Sequence, residues 1–282
     1  MKKKILITGA SGGFGKLTIE TLLKNGYEVV GTVRTIQGKN KETSEKLVNA
    51  GAKLIAMDVT DDENVETGIK KAIELLGGLD VVINNAGVGV IGMQEHFTSE
   101  EFKYIFDVNV FGVQRVTRAV LPYLRRQKSG LLIFLTGLVG RIILPFHGPY
   151  NASKWALEAL AESYKTELSQ FGIECCIVEP GGFPTNFMKN QLKPKDSSRN
   201  DSYGKFMDAP EAMIKNYKKA LEHNPNQNPQ KIADAILNLL ENPEEQRPFR
   251  LVIDHMGLGE PIKAYNDYYH ELIQNIFKEH RF

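Results

Sequence analysis

A chain of 282 residues, 42% hydrophobic and 24% charged, is long enough to bury the core of one large domain. Its net charge of +1 offers no electrostatic footprint for nucleic acid or a membrane surface, so neither is expected as a partner. The basic opening has too short an apolar run for a signal peptide, and no stretch approaches the ~20 apolar residues of a membrane span; a cytoplasmic location is expected.

Lys4 to Thr8 reads as a short buried strand, followed by a glycine-rich turn, Thr8-Gly9-Ala10-Ser11-Gly12-Gly13-Phe14-Gly15, and a helix that begins near Phe14 and breaks at Asn25-Gly26. Tyr27 to Val33 predicts the second strand, Lys53 to Met57 the third, and helices fill 41–50 and 61–76. Leu79 to Ile83 is the fourth strand, and a long amphipathic helix covers about 99–127. Leu131 to Leu135, a helix from Pro149 to about 170, and Ile173 to Val178 continue the alternation. Strands this apolar, alternating with helices, predict an α/β fold with a doubly wound parallel sheet (Rossmann fold) in a single domain.

Residues 185–230 are rich in Lys, Asn, Ser and Pro, with weak helical patterns at 186–192 and 208–222. They predict a helical substrate-loop insertion, a lid over 186–228. A helix at 229–241 and a strand near Phe249 to Ile253 return to the core pattern, and 257–282 forms a C-terminal extension that packs back on the domain. Cys175 and Cys176 are adjacent in a strand and point to opposite faces, as packed thiols; no disulfide and no metal site is expected.

Three features carry chemistry. Glycines at 9, 13 and 15, with Ser11 and Phe14, let the backbone approach a pyrophosphate at a helix N-terminus. The end of the second strand, Gly31-Thr32-Val33-Arg34-Thr35, has no acid for a ribose 2′-hydroxyl but has Arg34 for a 2′-phosphate, which predicts NADP over NAD. Tyr150 and Lys154 are four apart on one helix face. A nearby ammonium and a cationic bound cofactor favour the phenolate; bringing a phenol from its ordinary pKa to about 7 takes roughly 4 kcal/mol.

Together Thr8-Gly-x-x-x-Gly13-x-Gly15, Asp58-Val59, Asn84-Asn85-Ala86-Gly87, Asn109, Tyr150-x-x-x-Lys154 and Pro180-Gly181 followed by Thr185 resemble the short-chain dehydrogenase/reductase family, in its order and spacing, over residues 4 to about 190. The Thr-x-Arg turn and long C-terminus are most similar to its hydroxysteroid and retinol dehydrogenase branch. The resemblance implies an NADP-dependent oxidoreductase (NAD also used in the family) interconverting a ketone or aldehyde and its alcohol. It implies that Asp58 bonds the adenine amino group, Val59 backs the ring, and Asn85, Ala86 and Gly87 line the nicotinamide ribose. Tyr150 would be the acid and base, and Lys154 would bond the ribose and lower the phenol's pKa. Asn109 would kink its helix and hold a water leading to Lys154. Pro180 and Gly181 lead into Phe183 and Thr185, which would position the carboxamide. It also implies a homodimer or homotetramer through the helices over 99–127 and 148–171.

One position departs from the pattern. The family has a serine thirteen residues before the tyrosine, and here that position is Gly137. Losing one preorganised donor to a developing oxyanion costs roughly 3–4 kcal/mol. Thr136 by a one-residue shift, or His147, are the alternative donors; otherwise the enzyme is slow, or has become an NADP(H)-binding regulator. The expected substrate wall is Gly137, Val139, Phe146, His147 and Phe187, mostly apolar, which suits a hydrophobic small-molecule carbonyl or alcohol.

Overall fold

In the computed structural model, which describes residues 2–280, seven parallel strands form one twisted sheet in the order β3-β2-β1-β4-β5-β6-β7. In chain order these are β1 (Lys4–Ile7), α1 (Gly13–Lys24), β2 (Glu28–Val33), α2 (Lys41–Asn49), β3 (Lys53–Ala56), α3 (Asp62–Leu76), β4 (Val81–Asn84), α4 (Ser99–Phe106) and α5 (Gly112–Gln127). Then come β5 (Gly130–Leu135), α6 (Gly148–Leu168), β6 (Ile173–Pro180), α7 (Asn200–Tyr203), α8 (Ala209–Glu222), α9 (Gln230–Glu241), β7 (Arg250–Ile253) and α10 (Gly259–His280). The predicted α/β doubly wound sheet is the observed one.

The five inner strands, β1, β2, β4, β5 and β6, are buried on both faces, which is why they read as continuous apolar runs. One core lies between the sheet and α3, α5 and α6, built on Leu6, Val82, Leu132 and Phe134. The other lies under α1 and α9, built on Ile5, Ile83, Ile133 and Val178. Cys175 belongs to the first and Cys176 to the second; both are free thiols on opposite faces, as strand alternation requires.

Three predicted elements shift. Leu79 and Asp80 lie ahead of β4, where Asp80 caps the amino end of the central strand β1: its Oδ2 accepts from Lys4 N at 2.7 Å. The single helix predicted over 99–127 is interrupted by a π turn at Asp107–Phe111. The helix predicted at 186–192 is only one 3-10 turn, Asn186–Lys189. Beyond it the chain turns extended, because Leu192 pairs with Val90: Leu192 N donates to Gly89 O and Ile91 N to Leu192 O, both at 2.9 Å. Lys193-Pro194 follow, and a residue ahead of proline disfavours helix. The predicted C-terminal extension is the helix α10, which packs on β7 through its first half and buries Ile262 and Asn266. Arg281 and Phe282, also in that extension, lie outside the described residues.

Candidate active site

The strand order reverses between β1 and β4, so the crevice at their carboxyl ends is the place such a sheet offers a ligand. Thr8 ties its two sides together. Its Oγ1 accepts from Asn85 N at 3.1 Å and Ala86 N at 3.0 Å, and Asn85 Nδ2 donates to the carbonyls of Thr8 and Gly9. The glycines are needed for this approach. Gly9 sits at φ +71°, and a Cβ there would lie 2.9 Å from Ala86 Cα; a Cβ at Gly15 would lie 2.5 Å from Gly9 O. The N-terminus of α1 has no acidic residue in its first turn and no side-chain cap. Its free N–H groups therefore suit an anion.

The rest of the predicted cofactor set surrounds that turn. Gly13 abuts the Thr185 side chain, and the Phe14 and Phe183 rings meet edge to face at 5.7 Å. Gly181, beyond Pro180 at the end of β6, packs against Asp254, which fixes the path into Phe183. Asp58 spends Oδ1 on Thr60 N and Oγ1, and its other oxygen has no partner among the described residues. Val59 packs against Gly112. Ser11 stands in the turn itself, between Ala10 and Gly12. Arg34 is exposed, reaches Tyr104 Oη at 3.4 Å, and is paired with no carboxylate among the described residues. A glycine cradle, an open carboxylate oxygen and an uncommitted guanidinium fit a nicotinamide dinucleotide.

Tyr150 and Lys154 lie one turn apart near the start of α6, with Nζ 5.7 Å from the ring centroid. Lys154 Nζ donates to Leu135 O at 2.8 Å, at the end of β5. A Cβ on Gly87 would lie 3.9 Å from that Nζ and 3.3 Å from Asn109 Oδ1, so the 85–87 segment, Asn109 and Lys154 do converge. Burial lowers the Lys154 pKa to about 8, with Glu158 pulling the other way. The Tyr150 phenol departs from expectation. Burial pushes its pKa up rather than down, because desolvation outweighs an ammonium that faces the ring and bonds Leu135 instead.

Asn109 sits in the π turn and is fully buried. Its Oδ1 accepts from Val88 N at 2.8 Å, and its Nδ2 donates to Val88 O and to Ser153 Oγ, each at 2.9 Å. Ser153 Oγ donates on to Tyr150 O at 2.8 Å. The kink expected at Asn109 is present, and the amide ties the Val88 backbone to the Ser153 hydroxyl.

Around Gly137, neither expected substitute presents a donor. Thr136 Oγ1 donates to Val178 O at 3.3 Å and is buried in the sheet. His147 Nδ1 lies 2.8 Å from Pro145 O, which can only accept, so Nδ1 carries the proton. His147 Nε2 is then an acceptor, taking a bond from Gln191 Nε2 at 3.2 Å, and burial lowers the ring's pKa. Gly137 itself is at φ +112°, a backbone that side-chain-bearing residues seldom adopt.

The residues expected to wall the substrate make pairwise contacts. Phe187 packs on Tyr150 with ring centroids 5.6 Å apart, Val139 Cγ2 lies 3.7 Å from a Cβ built on Gly137, and Phe146 contacts Phe206. Val88, Val90 and Phe102 join Tyr150 in an apolar cluster. Sequence reasoning missed Gln191, Phe206 and Leu192. Nothing local marks them, since they reach the site only when the lid folds back on 89–92.

Comparison with known proteins agrees with this geometry. The family model described as short chain dehydrogenase matches residues 3–196. A 3-ketodihydrosphingosine reductase of Bacteroides thetaiotaomicron is 38% identical over 199 residues, 71% of each chain. Human retinol dehydrogenase 16 is 33% identical over 235 residues, covering 78% of this chain and 70% of that one. The solved alcohol dehydrogenase of Thermococcus sibiricus, complexed with 5-hydroxy-NADP, superposes with a TM-score of 0.68 at 27% identity, covering 89% of this chain and 95% of that one. The match of the family model over more than half of the chain, with relatives above 30% identity, shows that the chain belongs to the short-chain dehydrogenase/reductase family of oxidoreductases, on the side of the retinol dehydrogenases.

Proposed function

We propose that the protein is an NADP(H)-dependent oxidoreductase that interconverts a hydrophobic ketone or aldehyde and its alcohol. The observation that carries this reading is the convergence of Tyr150 and Lys154 with the 85–87 segment that Thr8 and Gly9 hold, Tyr150 packing on an apolar cluster, with Arg34 uncommitted after β2. The bound cofactor supplies or accepts the hydride. Tyr150, kept protonated at neutral pH by burial, gives its proton to the oxygen of the carbonyl being reduced. Lys154, still largely protonated at neutral pH, faces the same ring and orients the ribose beside it. Phe187, Val88 and Val90 keep water from the reacting centre. Relatives named for 3-ketodihydrosphingosine and for retinol are consistent with an apolar carbonyl–alcohol pair.

A second reading, of slow turnover, is favoured by Gly137. The hydroxyl of Thr136 and both nitrogens of His147 are engaged elsewhere, leaving Tyr150 as the one side-chain donor identified for the substrate oxygen. A carbonyl panel with NADPH, followed by loss of the reduced cofactor's absorbance and paired with cofactor-binding fluorescence, separates the two. Steady turnover of an apolar ketone supports the first. Binding without turnover on any member supports a cofactor-binding regulator instead.

Arg34 is proposed to hold the 2′-phosphate. Arg34→Ala should weaken NADPH binding by about tenfold or more while leaving NADH nearly unchanged, since a charge-assisted bond contributes roughly 1.5–3 kcal/mol. Tighter binding of NADH than NADPH by the parent would overturn the cofactor assignment.

A further inference from the structure

The chain that leaves β6 runs along the crevice from the catalytic side to the glycine turn. A Cβ on Gly137 would lie 3.3 Å from Pro180 O, the Phe183 ring meets the Phe14 ring at 5.7 Å, and the Thr185 side chain abuts Gly13. Phe187, two residues on, packs against the Tyr150 ring. A dinucleotide with its pyrophosphate at the N-terminus of α1 and its hydride-bearing ring at Tyr150 passes along this segment. The sheet itself stops holding it at Gly181, whose N–H donates to Ile253 O at 2.8 Å, at the last residue of β7. The next acceptor, Gly182 O, has no ladder partner and is held by side chains instead.

Gln227 Nε2 donates to Gly182 O at 2.8 Å, and Tyr217 Oη donates to it at 3.2 Å. Gln227 is buried, and its amide has one possible orientation. Its Oε1 accepts from His255 N at 2.8 Å, while Nε2 also reaches Asp254 Oδ1 at 3.3 Å. Turned round, the amide would set its oxygen against a carbonyl and a carboxylate. Burial first, and the Asp254 charge second, push the Tyr217 pKa up to about 12, so the hydroxyl keeps the proton it donates. The approach is close enough to require glycine: a Cβ on Gly182 would strike the Tyr217 hydroxyl, and one on Gly181 the Asp254 carboxylate. Tyr217 stands on α8 and Gln227 in the loop ahead of α9, both beyond the residues 3–196 that the family model matches.

We propose that Tyr217 and Gln227 are positioning residues for the cofactor: by fixing the Gly182 carbonyl they set the path of 183–185 and so seat the nicotinamide half of the dinucleotide. This rests on the NADP(H) reading above and deepens it. Part of the segment that the sequence predicts as a substrate lid, 186–228, thereby serves the cofactor. The adenine half belongs to Arg34 and Asp58, which follow β2 and β3 on the opposite half of the sheet from β6. Changes at Tyr217 and Gln227 therefore act on one half of the cofactor and spare the other.

The test measures Kd by calorimetry for NADPH and for adenosine 2′,5′-bisphosphate, which carries the adenine half alone, in the full chain and in two variants. Tyr217→Phe removes one hydroxyl, leaves Gly182 O its bond from Gln227, and should weaken NADPH binding about threefold. Gln227→Met keeps the length, removes the shorter bond, and should weaken it about tenfold. The Kd for adenosine 2′,5′-bisphosphate should stay at the parent value in both. A purely structural role would weaken the two ligands together, so equal weakening overturns the assignment. An unchanged Kd for NADPH in both variants overturns it as well, and in either case the dinucleotide reading stands. Gln227 also holds His255 and Asp254; should its variant fail to fold, the ratio of the two Kd values in Tyr217→Phe decides by the same criteria. No binding of NADPH by the parent overturns the cofactor reading and this one with it.

Discussion

At Gly137 the obvious repair is to restore a serine, and the backbone argues against its success. A Cβ there would press on the Pro180 carbonyl oxygen at 3.3 Å, and φ is +112°. Holding a side-chain-bearing residue in such a region costs roughly 1–3 kcal/mol. Gly137→Ser is therefore expected to lower the melting temperature by several degrees. Its gain in turnover should fall short of the hundred- to thousand-fold that one well-aimed oxyanion donor provides. A variant as stable as the parent and a hundredfold faster would mean that the backbone relaxes into an ordinary conformation at little cost. Tyr150 was legible as a residue from its spacing to Lys154, but its titration was not. Spacing reports that an ammonium is one turn away; only packing reports that the ammonium bonds Leu135 and that the phenol is desolvated.

At the scale of elements, the π turn at Asp107–Phe111 links α5, over the first core, to α6. It exists because Asn109 must reach Val88 and Ser153 at once, and the widened turn turns its amide toward both. Asn109→Ala would leave Val88 N and O and the Ser153 hydroxyl short of partners in a buried place. A loss of roughly 2–4 kcal/mol in denaturant unfolding is expected, with a fall in turnover larger than the fall in cofactor affinity. Unchanged unfolding would show that Ser153 and Val88 find other partners. The sequence predicted one helix across this region because both halves are amphipathic and no proline or glycine pair stands between them at Asp107–Phe111. The lid failed for the opposite reason. Its extended stretch at 190–192 is held by backbone bonds to 89–91, and backbone pairing leaves no mark in composition.

Across the whole molecule, α10 is tied to α6 through buried charge. Glu179, at the end of β6, faces Arg141 at 3.2 Å and accepts from Asn266 of α10 at 2.6 Å. Glu158 of α6 pairs with Arg141 at 2.7 Å and Arg250 at 3.1 Å. Glu162 takes the other side of Arg250 and the Tyr269 hydroxyl. Three carboxylates thus share two guanidiniums. Burial first, and the Glu158 charge second, push the Glu179 pKa up to about 7, against the pull of Arg141 and Arg250. A carboxyl whose pKa is higher in the folded chain than in the unfolded one holds its proton longer when folded. Its contribution to stability is full below about 4.5 and is lost as pH rises through about 7. Stability measured by unfolding should therefore carry a declining component across that window, and Glu179→Gln should flatten it. Identical pH profiles for parent and variant would place the titrating proton elsewhere. The same network explains why α10 docks through Asn266 and Tyr269, while Tyr268 and Leu272 remain exposed.

The sequence by itself determined the sheet, the crevice and most of the residues around it, because those depend on local rules. A buried parallel strand must be apolar throughout, a tight phosphate turn must be glycine, and two residues four apart on a helix must share a face. Tertiary structure alone decided the direction in which the Tyr150 pKa moves, the engagement of Thr136 and His147, the positive-φ backbone at Gly137 and the arrival of Gln191 on His147. Each of these depends on desolvation or on a hydrogen bond to a group brought in by the fold, often from far along the chain, and one-dimensional patterns carry no information about which groups those are.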